Sequence, residues 1–399
     1  MIPITIFYFF EQASVSTYTA YFQLILRNKG YSHSLIGLLM AVSQIATIIV
    51  PILVCALYDR SGKPKRTLLL SVMLAFAFYV PLALCDSLLL SFISIFISAG
   101  FFWALNPLYD GLSTRVLGGS SSKYGYVRAI GASGYFIILL VFGLLGFPNE
   151  TDNVSITITL SVILGILGVI ILSLPKSWNS EGLPSKANGI ERVTLKEVLN
   201  FKQYDKKFLI MMGIIAISRI AQSVIDKFLS AYMTEELHVG NKFTLLIAFA
   251  AVWDIPFSIF GGRFLQSGKI KAWCMVFLSS SGLAIRLLLY AFFPTIVAFM
   301  CGQALSFLCF GAVQLGAVRF ISDNIDEKHR AVGMSFYWSV ATHIPQMFGS
   351  LLGGVIVEHH GYTTLFFSFS WFAIIATILC FAFRKVLSGT SARHEAVLL

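Results

Sequence analysis

Charge is the scarcest commodity in this sequence. Only 12% of its 399 residues are Asp, Glu, Lys or Arg, against about 25% in a soluble domain. A surface this poor in charge does not face water, which excludes a soluble enzyme, a nucleic-acid binder and a disordered chain alike. The amino terminus lacks a basic leader and a small-residue cleavage site, so the apolar run 4–25 reads as a first span rather than a signal peptide. The six cysteines (Cys55, Cys85, Cys274, Cys301, Cys309 and Cys380) lack metal-binding spacing and sit in apolar segments. They read as small hydrophobes, and no metal is expected. A phosphate-cradling glycine loop is also missing, which removes support for an ATP-driven pump. No alternating ten-residue strands occur, which excludes a membrane β-barrel.

What is present is apolar sequence: 57% of residues are hydrophobic. Runs of about 20 recur from end to end, the length that crosses ~30 Å of hydrocarbon as an α-helix. Twelve such spans are predicted, at 4–26, 35–58, 67–85, 88–112, 129–147, 155–174, 208–233, 243–261, 271–292, 295–318, 331–352 and 362–384. The net charge of +10 is sorted by side. Twenty-three of the 26 basic residues outside the spans fall in one set of loops and the tail, while the opposite loops hold only Arg27, Lys29 and Lys242. Lys and Arg mark the cytoplasmic side, so both termini are expected there, in a cell (inner) membrane. The longest polar stretch, 175–207, ends in a capping-box pattern, Thr194 followed by Glu197. The organisation predicted is an N-terminal six-helix bundle over 1–174, a cytoplasmic linker over 175–207, a C-terminal six-helix bundle over 208–385 and a cytoplasmic tail over 386–399.

The halves repeat one another. Ser61-Gly62-Lys63-Pro64-Lys65 after span two matches Ser267-Gly268-Lys269-Ile270-Lys271 after span eight. Arg128-Ala129-Ile130-Gly131 at span five matches Arg330-Ala331-Val332-Gly333 at span eleven. Two matches at nearly equal offset argue for a duplicated six-helix unit, an architecture that places substrate sites near the bilayer midplane.

Ionisable residues inside spans each cost ~2.5–3.5 kcal/mol on insertion scales and mark functional or paired groups. They are Glu11, Asp110, Arg219, Asp226, Lys227, Asp254 and Arg286. Helical spacing aligns several of them with other polar groups: Glu11, Ser14 and Tyr18; Trp103, Asn106 and Asp110; Arg219, Gln222 and Asp226; Ser339, His343 and Gln346. Such stripes belong inward, toward a wet cavity, and aromatic rings beside hydrogen-bonding groups suit a polar organic solute.

Together, Asp59-Arg60-Ser61-Gly62-Lys63 and the duplicated twelve-span pattern resemble the major facilitator superfamily over nearly the whole chain. The segment from Tyr124 to Tyr135, with Asp110 lying 18 residues before Arg128, resembles the lactose, nucleoside and phenylpropionate permeases, a group of proton symporters. That resemblance implies that Asp110 and Arg128 form a solute-binding pair and that Tyr135 is a stacking platform. It implies that Asp254 is a coupling carboxylate and Arg286 its partner. In span ten the chain departs from the group, with Ser306 and Cys309 where the permease carries histidine and glutamate. The proton role then falls to Asp254 alone, or to Glu11, Asp226 or His343. Arg219 is grouped with Asp226 on the coupling side. Glu11, Tyr18, Trp103, Asn106, Gln222 and His343 join the solute-binding set.

The function expected is proton-coupled import of a small polar organic solute by alternating access. Sugar-like compounds lead, with nucleosides and aromatic acids next. The proton is the coupling ion and no other cofactor is expected. The expected partners are the solute and the bilayer, with no nucleic acid, and a monomer is anticipated. One rival is a drug/proton antiporter on the same fold, although span five lacks the internal Gly-Pro usual in such exporters. The other is an embedded enzyme, for which the only candidate is Glu358-His359-His360 in an outer loop.

Overall fold

The computed structural model describes residues 2–61, 63–116, 121–175, 204–253, 270–325 and 330–388. Among these every regular element is helical, and the twelve expected spans are all found, in the described residues, as helix. The first six are α1 (Ile2–Asn28), α2 (His33–Ser61), α3 (Pro64–Leu84), α4 (Leu88–Val116), α5 (Ser121–Leu145) and α6 (Asn153–Ser173). Then come α7 (Lys206–Glu235), α8 (Gly240–Trp253 as described), α9 (Ala272–Phe292) and α10 (Ile296–Asn324). The eleventh begins as Arg330–Trp338, passes through a π-helical turn at Ser339–His343 and continues into Ile344–Ala382. Gly361, at φ +78° and ψ 178°, breaks that last run. Residues 344–360 therefore complete α11, and 362–382 form α12. The short linker helix expected at Thr194 lies outside the described residues.

Local chemistry fixes several helix ends. Pro64 opens α3, where a missing N–H costs nothing. Asp152 caps α6 by accepting from the amides of Val154 and Ser155 at 2.9 and 3.2 Å. Lys29 and Lys65 satisfy carbonyls at helix C-termini, the former on Leu82 and Cys85 and the latter on Leu172 and Leu174. Side chains such as Leu89, Leu144, Leu145 and Val297 stand fully outward. In water such an apolar exterior would be a defect, whereas against acyl chains it is the expected surface.

The helices form two compact units, one from 1–185 with 227–248 and the other from 186–226 with 249–399. In the first, α1 packs along α5, α4 lies against α2 and α3, and α6 lies against α1 and α3. At Gly134 the α1 and α5 backbones meet, since a Cβ there would fall 2.2 Å from the Phe9 carbonyl oxygen. Without water to drive helix association, such close approach through small residues supplies the packing energy. The C-terminal end of α7 joins this unit through polar contacts. Gln23 accepts from the Ala231 amide at 3.4 Å, and Arg27 pairs with Glu235 at 2.5 Å.

In the second unit α9 packs against α10 and against the run 344–382, and buried Met211, Ile215, Val276, Phe320 and Tyr337 belong to one apolar core. Gly349 repeats the role of Gly134: a Cβ there would fall 1.9 Å from Ser223 Oγ on α7. Helix α10 contains its own π turn, Leu308–Ala312. Such single-turn π bulges widen the helix by one residue and occur often at functional sites.

Candidate functional site

In the first unit α1 and α4 carry two acidic residues, Glu11 and Asp110. Asp110 Oδ1 accepts from the Tyr8 hydroxyl at 2.6 Å. Glu11, buried, accepts from Gln12 Nε2 at 2.7 Å, and its carbonyl receives the Ser14 hydroxyl. The Tyr109 ring lies against Phe7 and Tyr8, with centroids 3.6 and 4.7 Å away. Tyr8 was not among the residues singled out from the sequence. It stands three residues before Glu11 and so extends that polar stripe by one turn.

The side chain of Arg128, the expected partner of Asp110, lies outside the described residues, although its backbone lies in α5. Tyr135 and Asn106 are half-buried on α5 and α4. Trp103 is half-buried and meets Phe102 edge-on at 5.8 Å. Tyr18 is buried in an aromatic stack between Phe22 and Phe102, with centroids 4.9 and 4.4 Å away.

The second unit assembles a polar cluster from α7, α10 and α11. Arg219 is 1% exposed. Its Nη2 donates to the Tyr337 hydroxyl at 3.0 Å, and its guanidinium lies 5.2 Å from the Phe310 ring centroid. Two turns further along α7, Asp226 accepts from Gln222 Nε2 at 2.9 Å and from Gln346 Nε2 at 2.7 Å. The Trp338 and His343 rings stack at 6.1 Å across the π turn of α11. Arg219 and Asp226 share a face as their spacing predicts, yet amides rather than the guanidinium hold the carboxylate.

Arg286 is also buried, and donates from Nε to Tyr290 at 3.0 Å and from Nη2 to Gln303. Its expected partner Asp254 lies outside the described residues. Ser306 donates to the Ala250 carbonyl at 3.2 Å, and the Cys309 carbonyl accepts from Ser279. Tyr337, Phe310 and Gln303 carry no signal in the sequence that separates them from ordinary packing residues.

Buried polar clusters on membrane-length helices accord with a multi-pass transporter of the major facilitator fold. The chain belongs to the MFS_1-like family, whose model matches residues 1–369. No curated protein matches it in sequence. Solved structures share its fold. A mutant form of the nucleoside transporter NupG is 15% identical, with a TM-score of 0.83, over 96% of this chain and 98% of that one. The unmutated NupG structure is 16% identical, with a TM-score of 0.77, over 98% and 99%. A POT family transporter in complex with 5-aminolevulinic acid is 12% identical, with a TM-score of 0.78, over 97% and 96%.

Proposed function

We propose that this transporter is a proton-coupled symporter that imports a small polar organic solute by alternating access. The solute classes it fits are sugar-like compounds, nucleosides and aromatic acids. NupG, a nucleoside transporter by name, supports a solute of this size and polarity. The observation that carries the proton reading is the setting of Asp226. Its carboxylate rests on two neutral amides, Gln222 and Gln346, on membrane helices. An amide can present either its N–H or its carbonyl oxygen, so it can serve the carboxylate and then the protonated acid. A carboxylate locked to an arginine would orphan a buried cation on protonation. Asp110, with Tyr8 and Arg128, forms the solute-binding group in this reading, and Tyr135 supplies a ring face. Asp254 with Arg286 is the other candidate for coupling.

Proteoliposomes holding the purified protein test the proposal. Radiolabelled glucose, uridine and phenylpropionate are offered with an imposed inward pH gradient. Concentrative uptake of one of them, abolished when the gradient is collapsed, is the expected result. Uptake driven by a sodium gradient alone would refute proton coupling. Both termini and the 175–207 loop are placed in the cytoplasm in this reading. Labelling of a Ser185→Cys variant by an impermeant thiol reagent outside intact cells would overturn that placement.

A further inference from the structure

The two buried arginines of the second unit are satisfied differently. Arg286 is held by Tyr290 through Nε and by Gln303 through Nη2. Arg219 is equally enclosed, but only its Nη2 has a hydrogen-bond partner, Tyr337, and both Nε and Nη1 have none among the described residues. Neither arginine forms an ion pair within the described residues. The nearest carboxylate on the same helix face, Asp226, is committed to two amides. A buried guanidinium with bare N–H groups is costly, and Arg286 has partners on two of its nitrogens where Arg219 has one.

Geometry says what those bare donors fit. A guanidinium presents two forked edges, Nε with Nη2 and Nη1 with Nη2, and Nη2 carries two hydrogens. Whichever hydrogen Tyr337 accepts, the other edge keeps both of its N–H groups. That edge matches the two oxygens of a carboxylate, or two oxygens of a phosphate. One turn along the same face, Gln222 Oε1 is a buried acceptor without a partner among the described residues, its amide nitrogen being engaged by Asp226. Residues three apart on a helix lie ~5–6 Å apart at Cβ. The cluster thus offers an oxyanion fork and, one turn away, an acceptor for a hydroxyl or amine. Phe310 backs the guanidinium from one π turn, and Tyr337 stands two residues before the other. Both irregular turns therefore flank this one side chain.

We infer that Arg219 is the anion-recognition residue of a solute-binding site in the second unit: the solute carries a carboxylate or phosphate, with a hydrogen-bond donor placed to reach Gln222. This rests on the solute-transporter reading above and narrows its substrate to organic anions.

Matched pairs that differ only in charge test the inference. Glucuronate is set against glucose, phenylpropionate against its amide, and uridine monophosphate against uridine. Each is titrated into the purified full-length protein in detergent at constant ionic strength, and thermal stabilisation is read. In at least one pair the acid is expected to stabilise the protein, with its neutral twin at least about tenfold weaker. Arg219→Gln should weaken the acid by about tenfold or more, and Arg219→Lys should fall between, since it keeps the charge but loses the fork. Without ligand, Arg219→Gln should melt no lower than the parent, because it removes an under-satisfied buried charge. A purely structural arginine predicts a lower melting point instead.

Equal binding by both members of every pair, no binding by any acid, or unchanged binding of the acid in Arg219→Gln would each overturn the inference. So would full stabilisation by inorganic phosphate or chloride alone. Failure of the broader reading looks different: the acid binds through Arg219, yet proteoliposomes show no proton-driven uptake of it. Concentrative uptake of a neutral solute that Arg219→Gln leaves intact would uphold transport and remove the anion site.

Discussion

Replacing Asp226 by asparagine separates proton coupling from solute binding. The carboxylate accepts two hydrogen bonds, at 2.9 Å from Gln222 and at 2.7 Å from Gln346. Bonds to a charged group contribute about 1.5–3 kcal/mol each. Asparagine keeps the shape and one carbonyl oxygen but places an NH2 group where the second oxygen stood. One glutamine then turns its amide over and offers oxygen to that NH2, so both contacts persist as neutral bonds of about half the strength. The expected loss is thus about 1.5–3 kcal/mol, small enough for the helices to stay assembled. The variant mimics the protonated acid permanently.

Proteoliposomes preloaded with the transported solute then give two readouts. Counterflow exchange should stay within about twofold of the parent, because binding and rocking do not require the proton to leave. Accumulation driven by a pH gradient should be lost. Parent-level accumulation by Asp226→Asn would refute the argument and return the role to Asp254, Glu11 or His343. Loss of exchange and accumulation together, with a fall in monodisperse protein, would mark Asp226 as structural. Gln346→Leu is the companion variant: it strips one donor and leaves the charge, costing about 1.5–3 kcal/mol.

Tyr8→Phe removes the hydroxyl that Asp110 accepts at 2.6 Å. If Asp110 binds solute, affinity measured by thermal shift should fall about three- to tenfold, and more for Asp110→Asn or Arg128→Gln, at roughly 2–5 kcal/mol each. Gly134→Ala forces a methyl group to 2.2 Å from a carbonyl oxygen of α1. Backbone cannot swing aside as a side chain can, so a loss of about 1–3 kcal/mol is expected in thermal unfolding, while Gly165→Ala, which meets nothing within 4 Å, should be neutral. Burial pushes the Glu150 carboxyl in the loop between α5 and α6 above its ordinary value, and the Arg27 charge opposes this only in part. A carboxyl held high in the folded state binds protons that the unfolded chain has released, so stability falls as pH rises through the interval between the two values. Glu150→Gln should flatten that decline above pH 4.5, and an unchanged melting-temperature profile would count against it.

The course of the chain was open to reading from sequence because bilayer physics leaves few options. Twenty apolar residues in a row can only span as a helix. The polar stripes were legible for the same reason, since a Gln or Asp on an apolar helix has to face inward. The stripe Arg219, Gln222, Asp226 is found on one helix face, as its spacing requires.

The partners were not legible. Spacing puts Arg219 and Asp226 on one face but says nothing about which helix covers that face. Tertiary packing supplied Tyr337 and Phe310 to the arginine, and a glutamine from α11 to the carboxylate. Tyr8 likewise looked like one more aromatic in an apolar run until α4 brought Asp110 to it. The two π turns are invisible to a period of 3.6 residues, because a single added residue leaves hydropathy unchanged while rotating everything beyond it. Local sequence therefore decides that these segments are membrane helices and which face of each is polar. What those faces hold depends on side chains more than a hundred residues apart, such as Asp226 and Gln346, which only the packed bundle brings within hydrogen-bonding distance.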